Sequence, residues 1–209
     1  MASLLQRQAR AGTRVLLHGG SGGVGIATLQ LLKLKDCHVT VTCSKASKER
    51  ARRFGADEVI CYEEGFDAVV EELGTGSIDH VVDMHGNPDE EDRLGLLVTK
   101  GGLMVSLHLP FLDAVDESGM LLGGLKTIGR TWKRVGGFKM AGITFHYAEM
   151  DIRLLNQTGM VQLANWADKG ELRPDVCKTF PLSEAVEAHE YVEEGLHHGK
   201  VVLDLTADE

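Results

Sequence analysis

The chain has 209 residues, which is enough for one domain with a substantial core or for one domain with an appendage. Its net charge of −9 argues against a nucleic-acid partner, because there is no surplus of basic side chains to neutralise phosphates. No run of apolar residues approaches the ~18 that a transmembrane helix requires, so we expect no membrane span.

The cysteines and histidines form no recognisable ligand pattern. The 4 cysteines include no C-x-x-C pair, so they predict neither a disulfide framework nor a zinc lobe. The 9 histidines include no H-E-x-x-H motif, and we predict no metal site. Reduced cysteines fit a cytoplasmic protein. A mitochondrial or other organelle matrix is the alternative, because Arg7 and Arg10 precede the first acidic residue, Asp36.

In the first half of the chain, short β-rich runs alternate with segments of helical periodicity. The predicted strands are residues 13–18, 38–43, 58–62, 78–83 and 102–107. The predicted helices begin at residue 23 and span 45–54, 66–73 and 89–98, with Ser44 as the cap of the second. This alternation predicts an α/β fold, a Rossmann-type doubly wound parallel sheet with helices on both faces.

The second half of the chain is less regular. Residues 110–137 are apolar and glycine-rich, and we expect an irregular segment with a helix near its middle. A strand, a long helix, an extended segment, a second helix and a last strand are predicted at 139–147, 149–169, 172–180, 183–194 and 200–205. We divide the chain into a first domain, residues 1–170, and a C-terminal segment, residues 171–209.

A glycine-rich turn follows the first strand and opens the first helix. Its pattern G-x-G-x-x-G in this context indicates a dinucleotide-binding turn, in which backbone N–H groups at the helix N-terminus meet a pyrophosphate. The candidate binding residues of this turn are Gly20, Ser21, Gly22, Gly23 and Val24.

The end of the second strand distinguishes between two nucleotides. An NAD site usually has an acidic residue here to hold the ribose 2′-hydroxyl. This chain has Ser44 and Lys45 instead, followed by Lys48 and several arginines, and the first acid is Glu49. We therefore predict NADP(H), with Ser44 and Lys48 at the 2′-phosphate and Lys45 as a substitute for Lys48.

Several blocks together resemble the medium-chain dehydrogenase/reductase superfamily, in its zinc-free quinone oxidoreductase and enoyl-reductase-like branch. They are HGGSGGVG, VTVTCS, FGADEVICY, IDHVVDMHG, GGLMVSL and the closing run from KGELRPDVC to HHGKVVLDL. The resemblance implies that Tyr62 lies along the adenosine and that Phe145 lies near the nicotinamide. It also implies that Lys200 lies close to the cofactor.

The resemblance implies less about catalysis. A member of this superfamily normally begins with a barrel-like domain that supplies the substrate groove, whereas this sequence starts just before the nucleotide-binding turn. We expect residues 171–209 to pack on such a domain in the family. The catalytic residues are unknown, with His146 and Tyr147 as candidate proton sources. The alternative is that the strand end carrying His146 and Tyr147 lies at a subunit contact in a dimer.

Two functions follow from these observations. The first is an NADPH-dependent oxidoreductase, or its cofactor-binding domain, acting on a small-molecule quinone, enone or enoyl thioester. The alternative is a catalytically silent nucleotide-binding subunit with a structural role in a larger assembly. The apolar segment 110–137 favours a homodimer or a partner subunit, because it would be exposed in a monomer.

Overall fold

The computed structural model describes residues 8–107, 111–148, 157–195 and 199–207. The basic N-terminal residue Arg7 and the first part of the helix predicted at 149–169 lie outside the described residues. No helix in these ranges is long and apolar enough to cross a membrane.

Six parallel strands form the main sheet, in the order β3-β2-β1-β4-β5-β6. The strands are β1 (Arg14–His18), β2 (His38–Cys43), β3 (Glu58–Cys61), β4 (Ile78–Asp83), β5 (Val98–Ser106) and β6 (Thr144–Tyr147). Strands β2 and β4 occupy the predicted residues. The order reverses direction between β1 and β4, which is the switch point where doubly wound folds bind ligands.

Helices cover both faces of this sheet, which confirms the predicted fold class. They are α1 (Gly23–Lys33), α2 (Lys48–Arg53), α3 (Phe66–Leu73), α4 (Pro88–Leu97) and α5 (Phe111–Met140). Helices α1 and α2 pack on the face that carries Leu17 and Val41, whereas α3, α4 and the end of α5 pack on the face that carries Leu16. Each fully buried leucine contributes roughly 1.5–3 kcal/mol of stability.

Two local expectations at the end of β2 and β3 differ from the structure. Ser44 does not cap a single helix, because residues 45–47 form one 3₁₀ turn before α2 begins at Lys48. The Ser44 hydroxyl donates to the Ser47 hydroxyl at 3.2 Å and accepts no backbone N–H of the following turn, as a capping hydroxyl would. Strand β3 ends at Cys61, and Tyr62 begins another 3₁₀ turn.

The segment predicted as irregular is helical. Helix α5 spans Phe111–Met140 with one break at Gly119, where φ is 76° and ψ is 165°. Phe138 anchors its end, since a Cβ atom on Gly95 of α4 would lie 2.1 Å from the Phe138 ring. This packing outweighs the low helix propensity of the glycines. It also shortens the strand predicted from residue 139, which begins at Thr144.

The C-terminal part forms a second, smaller unit. It consists of β7 (Val176–Pro181), α7 (Ala185–Glu193) and β8 (Lys200–Asp204), with β7 and β8 paired in parallel, and α6 (Gln157–Asp168) precedes it. The Gln30 amide of α1 holds it, accepting from the Arg173 N–H at 2.9 Å and donating to the Arg173 carbonyl at 3.0 Å. The start of the C-terminal segment therefore packs directly on the helix that follows the glycine turn.

Candidate nucleotide-binding site

The glycine turn lies at the carboxyl edge of the sheet, beside the switch point between β1 and β4. Two of its glycines are required by packing. A Cβ atom on Gly25 would lie 2.3 Å from the Gly20 carbonyl oxygen, and one on Gly20 would lie 2.8 Å from Leu17 Cβ. The close approach of strand, turn and helix therefore depends on these two residues.

Gly22 has a different environment. A Cβ atom built on Gly22 meets no protein atom within 4 Å, so the backbone here borders open space. Helix α1 begins immediately afterwards, and its first intrahelical bond runs from the Ile26 N–H to the Gly22 carbonyl at 2.9 Å. Helix geometry leaves the earlier N–H groups without intrahelical partners, and no acidic residue lies in this first turn. Free N–H groups and the positive end of the helix dipole at this open space would favour an anion.

Lys200, which the resemblance places close to the cofactor, extends over this helix N-terminus. A Cβ atom on Gly23 would lie 2.5 Å from Lys200 Cε and 2.8 Å from its Nζ atom. The ammonium therefore lies next to the first turn of α1, although 177 residues of chain separate the two positions. A phosphate at Gly22 and Gly23 would meet both the helix dipole and a lysine charge.

Arg50 is a site residue that the sequence analysis did not select. Its Nη1 atom donates to the Ser21 carbonyl, and its Nε atom is ion-paired with Asp175. Its Nη2 atom is buried and has no hydrogen-bond partner in the described part of the chain. Arg53 also pairs with Asp175, at 2.8 Å. The three-residue spacing of Arg50 and Arg53 places both on one helix face, and this spacing could have indicated in the sequence that they share a partner.

These groups border one pocket of about 230 Å³ between α1 and the C-terminal segment. Its charged lining consists of Arg50, Arg173, Asp175 and Lys200, and the rest of the lining is largely apolar. Three cations and one carboxylate leave a positive surplus, which suits a phosphate-bearing ligand.

The residues predicted to hold the 2′-phosphate lie at the end of β2. Ser44 directly follows the strand, and Lys48 lies in the first turn of α2. Both are half-buried, and no hydrogen bond or ion pair joins the Lys48 ammonium to another described residue. The neighbouring Cys43 is not a candidate nucleophile, because burial raises the pKa of its thiol to about 11.

Tyr62 lies at the same edge, at the end of β3. Its ring is exposed and stacks on the His85 ring with 6.5 Å between centroids and 12° between planes. Tyr62 therefore borders the crevice in which the adenosine is expected.

Phe145 does not lie in this crevice. It is buried in the core, stacked on Phe138 at 4.7 Å and edge-on to Tyr147 at 4.8 Å. The inward-facing position on β6 explains this, because the face that carries Phe145 is covered by α5. The structure thus separates Phe145 from the other predicted cofactor contacts.

The two candidate proton sources differ in their surroundings. The buried Tyr147 hydroxyl donates to Glu91 at 3.1 Å, and Glu91 is ion-paired with Arg134. Burial and the Glu91 carboxylate raise the pKa of Tyr147 above the ordinary value. His146 is half-buried and lies on the opposite face of β6. A catalytic role stays a prediction for both, and this geometry favours His146.

The Tyr147 environment predicts an alkaline loss of stability. Above pH 10 the unfolded chain releases the phenolic proton while the folded chain retains it, so the free energy of unfolding decreases as pH rises. One proton accounts for up to about 1.4 kcal/mol per pH unit. Denaturant unfolding of Tyr147→Phe between pH 9 and 11 should show a shallower decrease. Tyr62→Phe is the control, and an identical slope in both variants would contradict the assignment.

Comparison with known proteins agrees with this geometry. The sequence profile described as zinc-binding dehydrogenase matches residues 54–203, which is most of the chain. The chain belongs to the zinc-binding dehydrogenase family. This confirms the predicted membership of the medium-chain dehydrogenase/reductase superfamily. The matched range begins after the glycine turn. The turn therefore supports this membership independently of the profile match.

Sequence alignments with relatives of this zinc-binding dehydrogenase cover nearly the whole chain. It is 34% identical over 196 residues to the mitochondrial NAD(P)H oxidoreductase RTN4IP1 of Mus musculus, covering 93% of this chain and 48% of that protein. It is 30% identical to the trans-enoyl reductase pgmF of Aspergillus terreus, covering 93% and 52%. The chain spans about half the length of the curated relatives it matches.

A solved structure shows the same fold. The quinone oxidoreductase of Coxiella burnetii superposes with a TM-score of 0.70 at 26% identity, covering 97% of this chain and 56% of that chain. The parallel sheet and its helices are therefore those of a known oxidoreductase fold.

The structure also brings together three groups that the sequence analysis did not single out, namely His18, His85 and Glu90. His18 ends β1, and His85 follows β4 by two residues. Their common place after neighbouring parallel strands was the signal available in the sequence.

Proposed function

We propose that the crevice at the glycine turn binds NADP(H) and that this chain is the cofactor-binding part of an NADPH-dependent oxidoreductase. One observation carries the proposal. The N-terminus of α1 faces open space at Gly22, the Lys200 ammonium lies beside Gly23, and Arg50 lines the same pocket as Gly23 and Lys200. An anion placed at Gly22 and Gly23 would meet the free N–H groups of the helix N-terminus and the charge of Lys200.

The residues fit the cofactor in two parts. The N–H groups of Gly22, Gly23 and Val24 would bind the pyrophosphate, and Arg50 would hold the turn in place through the Ser21 carbonyl. Lys200 would neutralise the phosphate charge from the opposite side. A separate set, Ser44 and Lys48 with the exposed Tyr62 ring, would bind the adenosine 2′-phosphate end. When bound, the cofactor supplies a hydride to the substrate.

The names of the relatives support an oxidoreductase. One is an NAD(P)H oxidoreductase, one a trans-enoyl reductase and one a quinone oxidoreductase. Together they favour an acceptor with an activated double bond, such as a quinone, enone or enoyl thioester. Relatives named as mitochondrial favour a mitochondrial matrix location over a cytoplasmic one.

We further propose that residues 171–209 dock on the part of the family fold that the longer relatives have outside the matched region. The unit formed by β7, α7 and β8 exposes a set of large apolar side chains. They are Val176, Leu182, Val186, Val192, Val202, Leu203 and Leu205. Exposed apolar surface of this size is typical of an interface, and residues 1–170 then form the cofactor-binding domain.

A structural role in an assembly is the second candidate, and α5 favours it. Leu121, Leu125, Ile128, Trp132 and Val135 recur at spacings of four and three residues and are all exposed. This stripe suits a second copy of the chain or another subunit. Oxidation of NADPH in the presence of quinones and enones would support the enzyme, whereas nucleotide binding without turnover would support the structural role.

The cofactor preference gives a direct test. Calorimetric titration should show tighter binding of NADPH than of NADH. The double variant Ser44→Asp with Lys48→Ala should bind NADPH on the order of tenfold to a hundredfold less tightly, because charge-assisted hydrogen bonds contribute about 1.5–3 kcal/mol each. NADH binding should be retained.

Arg52→Ala is the matched control for this double variant. Arg52 is exposed on the same helix and pairs with Glu49, so its removal should leave both affinities unchanged. An unaltered ratio of NADPH to NADH affinity in the double variant would remove Ser44 and Lys48 from the site.

A further inference from the structure

We propose that His18, His85 and Glu90 form a binding site for a divalent transition-metal ion, with Zn²⁺ as the best match. In the described ranges, these three residues are the group of histidine, cysteine and acidic side chains whose ligand atoms converge, all within 4.8 Å of one another. The site lies at the carboxyl edge of the sheet, where β1 and β4 end and α4 begins.

The distances fit a tetrahedral ion after small side-chain rotations. Glu90 Oε2 lies 3.0 Å from His18 Nε2 and 3.5 Å from His85 Nδ1. Bonds of about 2.0–2.1 Å from Zn²⁺ to nitrogen and oxygen place neighbouring ligand atoms about 3.3 Å apart in a tetrahedron. Glu90 is therefore already near the required separation from both histidines, and the two histidine nitrogens lie within 4.8 Å of each other.

The buried member of the group is held in position by other residues. His18 is 2% exposed, and its Nδ1 atom lies 2.9 Å from the Thr42 hydroxyl. The same hydroxyl accepts the Gly19 N–H at 3.0 Å. Donation from His18 Nδ1–H to Thr42 would leave Nε2 free as a ligand, which is how metal-binding histidines are usually oriented. The Phe66 ring, edge-on at 5.2 Å, fixes the imidazole plane.

The group is open to solvent on one side. Glu90 is 21% exposed and His85 is 60% exposed, so an ion could enter and a water molecule could take the fourth position. Two neutral imidazoles and one carboxylate match the His₂Glu sets of open zinc sites. Among the described residues, Glu90 forms no ion pair with lysine or arginine, and its charge is available to an ion.

His38 also lies near carboxylates, but one of them is paired with a lysine, unlike Glu90. His38 lies 4.0 Å from Asp57 and 3.5 Å from Glu58. However, Lys33 Nζ already pairs with Asp57 at 2.7 Å, and the Val39 N–H donates to the same carboxylate. Burial raises the pKa of Asp57, but these hydrogen bonds outweigh it and lower the pKa below its ordinary value. The Lys33 ammonium thus already neutralises the Asp57 carboxylate beside His38, and we propose no metal ion there.

The proposal is tested by titrating the chelator-treated full chain with ZnCl₂, followed by calorimetry, and with CoCl₂, followed by visible absorption. One equivalent should bind, and Co²⁺ should give the intense absorption of a tetrahedral site. His85→Ala and Glu90→Gln should each weaken Zn²⁺ binding at least tenfold. The matched control His38→Ala should bind like the unaltered chain.

Circular dichroism of each variant separates loss of the site from loss of the fold. Both test side chains are at least partly exposed, so we expect folded variants. Failure of the unaltered chain to bind either metal, or equal affinity in His85→Ala and His38→Ala, would overturn the proposal. Because the titrations contain no nucleotide, their outcome is independent of the proposed cofactor site.

Discussion

Gly22→Val is expected to weaken NADPH binding on the order of a hundredfold or more, which is about 2.7 kcal/mol, while leaving the chain folded. The backbone of Gly22 is extended, with φ −70° and ψ 173°, which a valine can adopt. Its Cβ atom would meet open space in the free protein. With the cofactor bound, the same atom would occupy the space of the pyrophosphate. The stability cost should not exceed about 1 kcal/mol, from the poorer N-cap residue.

Gly25→Val is the comparison that separates binding from folding. Its Cβ atom would meet the Gly20 carbonyl at 2.3 Å, so we expect a loss of stability of roughly 1–3 kcal/mol or more. Calorimetry with NADPH and denaturant unfolding should be measured on both variants. If Gly22→Val binds NADPH with unchanged affinity, the glycine turn is not the phosphate site.

Asp175→Ala is expected to destabilise the chain by roughly 3 kcal/mol, because it removes the carboxylate that two arginines share. Arg50 and Asp175 are 10% and 13% exposed, so the ion pair is largely screened from water. Without Asp175, the Arg50 guanidinium keeps only its bond to the Ser21 carbonyl. The Asp175 carbonyl also accepts the Lys200 N–H, so disorder at this point would displace Lys200 and weaken NADPH binding.

Arg52→Ala is the control against which the loss of stability in Asp175→Ala is compared. It breaks an exposed pair on the same helix, with Glu49 83% exposed, and should change stability by less than about 1 kcal/mol. Urea unfolding of the two variants at one pH gives the comparison. A loss in Asp175→Ala no larger than that in Arg52→Ala would show that the contact does not hold the C-terminal segment.

The proposed metal and cofactor sites lie close together without sharing the same residues. A Cβ atom on Gly19 would lie 3.5 Å from His85, and Gly19 directly precedes the glycine turn. The Tyr62 ring stacks on the His85 ring. An ion at His85 would therefore fix the ring on which Tyr62 stacks, and the two binding events can be measured separately.

The sequence by itself determined the parallel sheet and the glycine turn that opens the first helix. These features depend on local patterns, because the hydrophobic periodicity of strands and helices and the spacing of the glycines each involve neighbouring residues. Strand β2, strand β4 and the start of α1 accordingly lie where they were predicted. Only the middle of helix α5 was predicted to be helical, because its glycines lower helix propensity locally, while the packing of Phe138 against Gly95 stabilises its end through a tertiary contact.

Only the tertiary structure decided which distant side chains meet. Arg50 reaches Ser21 and Asp175, the latter 125 residues away, and no local pattern records that separation. The same holds for His18 and Glu90, which are 72 residues apart, and for the burial of Phe145 behind α5. Parallel topology brings the carboxyl ends of separate strands to one edge, so the residues after each strand become neighbours only when the chain has folded.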